Sequence, residues 1–112
     1  MLETIKSSGE IDSLFAHGTR ASNARVAILV SPTPPERGPS GRVVVIAGKK
    51  IGSAVVRNRA RRVLRESVRR IGGPWPGYDV AVIARTRTAS EPPEALDKAI
   101  CDTLLKAGIT AC

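Results

Sequence analysis

The stretch from Lys49 to Arg70 constrains this chain more than any other. It holds nine basic residues, Lys49, Lys50, Arg57, Arg59, Arg61, Arg62, Arg65, Arg69 and Arg70, against one acid, Glu66. The whole chain of 112 residues carries a net charge of +8. The entire excess therefore sits in this stretch, and the other basic and acidic residues cancel. Nothing breaks a helix from Ala54 to Ile71, Ser53 can cap its start, and Gly72-Gly73-Pro74 stops it. The fold must accommodate a long, strongly positive helix. Such a localised field attracts polyanions, nucleic acid first and an anionic membrane surface second.

With Arg57 at 0° and a step of about 100° per residue, Arg61, Arg65, Asn58, Arg69 and Arg62 fall between about 0° and 140°. Val63, Val56, Ser67, Ala60, Ile71 and Leu64 fall between about 240° and 340°, so a basic face opposes a mostly apolar one. Val55 and Val68 break the division, and Arg59 and Arg70 flank the apolar face. Surface charge usually means only a solvated face. Here, however, Arg follows Arg at 57/61, 61/65 and 65/69 and at 59/62 and 62/65. Each like pair costs about 0.2–0.5 kcal/mol, so five cost roughly 1–2.5 kcal/mol. That is a large part of a small domain's margin of about 5–15 kcal/mol. A phosphate-rich partner would convert the repulsion into attraction, and arginine is suited to paired bonds with phosphate oxygens.

Around this helix the chain reads as one domain, residues 1–112, without internal repeats. The segment 7–18 predicts a short helix with Ile11, Leu14 and Phe15 on one face. Strands are expected over Arg25 to Ser31, Arg42 to Gly48 and Asp79 to Arg85, the last two apolar enough to be buried on both faces. An exposed Pro/Gly-rich connection fills 32–41. The last helix begins near Ser90, a candidate cap, with Pro92 and Pro93 in its first turn and Gly108 after its last. The order is α-β-β-α-β-α, an α+β fold with a small sheet and packed helices.

Phe15, Trp75 and Tyr78 are the only aromatics, so the core is aliphatic. No apolar run is long enough to span a bilayer, and the N-terminus lacks the pattern of a secretory signal. Two cysteines do not make a disulfide framework, so a reducing, cytoplasmic setting is expected. Cys101 then reads as a small buried hydrophobe and Cys112 as a frayed end. His17 suits a helix-end partner, and Trp75 suits the edge of the core. Arg20, Arg25 and Arg42 either extend the basic surface or are simply solvated. There is no metal-ligand cluster and no nucleophile–base arrangement, and "GKKIGS" lacks the spacing of a phosphate loop.

The segment "AVVRNRARRVLRE" resembles the signature helix of the bacterial ribonuclease P protein subunit. The matching pieces are Lys49-Lys50, Gly52, Ala54-Val55, Arg57-Asn58-Arg59, Arg61-Arg62 and Arg65. "FAHGTRASN" and "YDVAVIART" are similar to the family's flanking segments. The resemblance implies a sandwich like the second domain of ribosomal protein S5, with a left-handed βαβ crossover where general rules give a right-handed one. It implies a protein that binds a catalytic RNA and precursor tRNA and assists removal of the 5′ leader. In that setting the RNA performs the chemistry with Mg²⁺, so the protein has no catalytic or metal-ligating residue and no small-molecule cofactor. The implied RNA-binding set is Lys49, Lys50, Arg57, Asn58, Arg59, Arg61, Arg62, Arg65 and Arg69. The implied leader cleft uses Phe15, Ile11 and Val45. The family usually has more aromatics there, where this chain has Ile11, Val26 and Leu29. With stacking worth roughly 1–3 kcal/mol per base, Phe15 would grip the leader at one point and charge would do the rest.

Two alternatives remain at this point. The chain could be a general RNA-binding or ribosomal-type protein using the same face. It could also be a membrane-surface or calmodulin-target helix, which requires a free apolar face.

Overall fold

The aliphatic runs form the middle of one sheet. The structure, a computed structural model, describes residue 16 and residues 18–33 and 41–109. The expected first helix, with Ile11, Phe15 and His17, lies outside the described residues, as do Cys112 and most of the 32–41 connection. Among the described residues the strands are β1 (Thr19–Ser22), β2 (Val26–Pro32), β3 (Arg42–Ile46) and β4 (Tyr78–Ala84). The helices are α1 (Ala54–Arg70) and α2 (Pro93–Lys106), with short 3₁₀ turns at Lys49–Ile51 and Thr88–Ser90.

The sheet order is β1-β2-β4-β3. β2 is antiparallel to β1 and β4, and β3 is parallel to β4 with α1 as the crossover. Side chains alternate along each strand. Val26, Ile28, Val30, Val43, Val80, Val82 and Ala84 therefore share one face and pack with α1 and α2. Leu29 and Ala81 are buried on the other face, with Val44, Ile46 and Ile83 half-buried beside them. β4 is central and buried as expected. β3 is not buried on both faces: it is an edge strand, half-buried from Val44 to Ile46. β1 was not expected, because only Ala21 of its four residues is buried.

Buried polar groups tie the layers together. Arg42 and Asp79 face each other in the register of β3 and β4, and Arg42 Nη2 lies 2.8 Å from Asp79 Oδ2. The Thr33 hydroxyl donates to Asp79 Oδ1 at 3.2 Å. Arg42 is thus a buried structural cation and not part of the basic surface. Asn23 Oδ1 accepts from the Arg25 and Val26 amides, while its Nδ2 donates to the Ala99 carbonyl on α2. Trp75 lies inside the core, not at its edge. Gly41 is glycine because a Cβ there would sit 1.9 Å from the Trp75 carbonyl oxygen.

Ser53 caps α1, its hydroxyl accepting from the Val56 amide, and Gly73 N donates back to Val68 O at 2.9 Å. Ser90 does not cap α2. Pro92 takes the cap position, and the Ser90 hydroxyl donates instead to Arg87 O. The buried Thr88 causes this: its hydroxyl donates to Arg25 O at 2.6 Å and accepts from Arg85 N, which winds residues 88–90 into their own turn. Gly108 does follow the last turn, where Ile109 N closes onto Leu104 O. Cys101 is half-buried and disulfide-bonded, which corrects its reading as a plain buried thiol.

α1 is fastened to α2 by Asp97, which accepts from Arg70 Nη2 at 2.8 Å, Arg70 Nε at 3.0 Å and the Ser67 hydroxyl. The Arg70 hydrogen bond, against a smaller opposing effect of burial, holds the Asp97 carboxyl below its usual range. A depressed carboxyl stabilises the fold above its unfolded pKa and loses that contribution as pH falls through its folded value. Stability should therefore decline below about pH 4. In urea titrations Asp97→Asn should start less stable at pH 6 and decline less between pH 4 and pH 3. An identical decline in both proteins would remove Asp97 from this role.

Candidate nucleic-acid interface

Packing decides which side of α1 meets solvent. Ala60, Leu64, Ser67 and Val68 are buried against the sheet and α2. Val68 therefore belongs to the core, although the ideal wheel set it among the arginines. This buried stripe also removes the free apolar face that a membrane-surface or calmodulin-target helix requires. Among the described residues, no helix is long and apolar enough to cross a membrane.

Asn58, Arg59, Arg62, Arg65 and Arg69 are exposed on the opposite side. Arg57 and Arg61 are only half-buried, so the basic face is centred further from them than the wheel implied. Long arginine stems cover apolar surface while their charged ends reach water. Lys49 and Lys50 are exposed in the 3₁₀ turn that precedes α1. Gly52, at φ +143°, joins that turn to the helix; a Cβ there would be strained and would meet Val56 at 3.1 Å. The Lys pair is thus placed at the start of the arginine face by a backbone geometry that favours glycine.

Few acids dilute this charge. Glu66 reaches Arg62 only at 3.8 Å, with both side chains exposed, a contact of small energetic value. Arg61 Nη2 donates to Asn58 Oδ1, so these two side chains orient each other. Arg59 Nε donates to Ala89 O at 3.1 Å, which fixes one edge of the face to the turn after β4. Arg69 and Arg70 occupy the last turn of α1, where the helix dipole favours cations.

Sequence reasoning missed what lies across that turn. Glu91 is almost covered and holds two arginines, Arg25 Nε at 2.9 Å and Arg87 Nη2 at 3.2 Å. The Arg25 hydrogen bond foremost keeps its carboxyl below the usual range. With exposed Arg85, these side chains continue the positive surface beyond α1. The alternation "ARTRT" after β4 was the available signal, but only folding brings it next to Arg59.

Of the expected leader cleft, only Val45 is described. It packs against the main core on the helix-covered face, whereas Val44 and Ile46 point to the opposite face.

The described residues form a small α+β fold that presents one arginine face, preceded by a Lys pair, with the charge that suits an anionic partner. The comparisons narrow that class. The model of the Ribonuclease P family matches residues 2–108. The ribonuclease P protein component of Symbiobacterium thermophilum is 37% identical over 109 residues, covering 94% of this chain and 90% of the relative. That of Bacillus cereus (strain ATCC 10987 / NRS 248) is 33% identical over 106 residues, covering 94% and 90%. In fold, the chain is similar to the Staphylococcus aureus RNase P protein, with TM-score 0.81, 20% identity and coverage of 98% and 99%. It is similar also to the RNase P protein from Thermotoga maritima, with TM-score 0.77, 21% identity and coverage of 93% and 96%. The chain belongs to the ribonuclease P protein family, whose members are the protein parts of an endoribonuclease complex.

Proposed function

We propose that this chain binds the catalytic RNA of ribonuclease P through α1 and the Lys49–Lys50 turn, and helps that RNA remove the 5′ leader of precursor tRNA. The observation that carries the reading is the outward face of Asn58, Arg59, Arg62, Arg65 and Arg69 on a helix whose other side is committed to the core. Half-buried Arg57 and Arg61 border it, with the Asn58–Arg61 contact setting their approach. Phosphate oxygens supply the counter-charge that the like-charged arginines lack. The leader is assigned to Ile11 and Phe15, which lie outside the described residues, and to Val45 on β3.

Catalysis belongs to the RNA with its Mg²⁺. Among the described residues no three His, Cys, Asp or Glu side chains are grouped to hold a metal ion. The protein's part is to bind and orient substrate and to neutralise RNA charge, which lowers the cation concentration the RNA needs. We place this work in the cytoplasm, where the bond at Cys101 would be open to reduction. The test is cleavage of precursor tRNA by the RNA subunit at falling Mg²⁺, with and without this chain.

A further inference from the structure

Phosphate binding leaves one part of α1 unexplained. Val55 is 78% exposed in the first turn of α1, beside the arginines. A hydrocarbon side chain offers nothing to a phosphate, and leaving it in water is unfavourable. Val55, Asn58, Arg59 and Arg62 follow one stripe of the helix and line a hollow of about 390 Å³. Its walls are partly fixed. Arg59 is held by the Ala89 carbonyl, and Asn58 Oδ1 is taken by Arg61 Nη2. Among the described residues the Asn58 amide nitrogen has no acceptor, so its two N–H groups remain to donate. Arg62 is 66% exposed, and its guanidinium plane is free to lie over a flat ligand.

An apolar contact, guanidinium planes and a donating amide are the chemistry that receives a splayed-out nucleobase. We propose that this hollow takes the base of one unpaired nucleotide of the RNA partner. The proposal rests on α1 being the RNA-binding face and divides its labour: Arg65 and Arg69 meet the backbone, and the Val55 hollow meets a base. Among the described lining residues the free side-chain hydrogens sit on Asn58 and the arginines, so a base edge rich in acceptors suits the hollow. The O6 and N7 edge of guanine presents two adjacent acceptors and fits best.

Val55→Ser tests this without changing charge, and thermal unfolding should show the fold unaltered because the side chain is exposed. Binding to the cognate RNase P RNA is measured over a range of salt, with Arg65→Ala/Arg69→Ala in parallel, and base-specific chemical probing records which unpaired bases are covered. Val55→Ser should bind about tenfold more weakly, a change equal to about 1.4 kcal/mol, with an unchanged salt slope. One unpaired purine covered by the unaltered protein should become reactive. The double arginine variant should flatten the slope and leave that base covered. If Val55→Ser binds and protects like the unaltered protein, or if its loss comes with a flatter slope, the hollow takes no base, and the arginine result still stands for the RNA face. If neither variant changes binding, α1 is not the RNA face and both readings fall.

Discussion

Asp79→Ala should cost this protein about 3–5 kcal/mol, because it takes a carboxylate away from the buried Arg42 cation and removes the acceptor of the Thr33 hydroxyl. Both side chains are nearly inaccessible, at 5% and 8%. An ion in that setting depends on its partner far more than a surface charge does. The loss takes a fifth or more of a typical margin of about 5–15 kcal/mol. A shift of about 4–8 °C per kcal/mol for a domain of this size puts the fall in Tm above about 12 °C. Replacing both partners by apolar residues, Arg42→Met with Asp79→Leu, should recover most of the stability, since the pair's attraction mainly offsets its own desolvation. Urea unfolding of the three proteins measures this. A loss below about 1 kcal/mol for Asp79→Ala would show that the pair behaves as a surface contact.

The second large effect concerns binding. Arg65→Ala with Arg69→Ala removes two exposed guanidiniums that contact no carboxylate among the described residues. With each charge-assisted contact worth about 1–1.5 kcal/mol net, affinity for RNase P RNA should fall by about 30- to 150-fold. The slope of log K against log salt should flatten by about 1.4–1.8 units, as two fewer phosphates are neutralised. The fold should be unchanged or slightly more stable, because the Arg61/Arg65 and Arg65/Arg69 repulsions are gone. Affinity titrations at several salt concentrations decide the matter. Full affinity with an unchanged slope would place the RNA elsewhere.

The chain announced its elements better than their surroundings. Val26 to Val30, Val43 to Ile46 and Val80 to Ile83 read as strands because each is a continuous aliphatic run. Such a run cannot say whether it will lie at the centre or the edge, and β3 proved to be an edge. β1 left almost no trace, since one buried alanine makes no pattern. The arginine helix and its cap at Ser53 were legible, but an ideal wheel cannot know how the helix rolls on the sheet, so Arg57, Arg61 and Val68 were set too far out. Arg42 was misread because Asp79 lies 37 positions away and only strand register joins them. The Glu91 anchor for Arg25 was hidden because the two stand far apart in the chain, whereas Arg87 lies one helical turn before Glu91.

We propose that the main work of this chain is to supply positive charge and grip to the RNA of ribonuclease P. The most direct test of that work is the rate of precursor-tRNA cleavage by the cognate RNase P RNA as Mg²⁺ is lowered, with and without the purified protein. The account predicts that the protein preserves cleavage at Mg²⁺ concentrations where the RNA alone fails, and tightens binding of precursor. An unchanged Mg²⁺ requirement together with unchanged precursor affinity would contradict it.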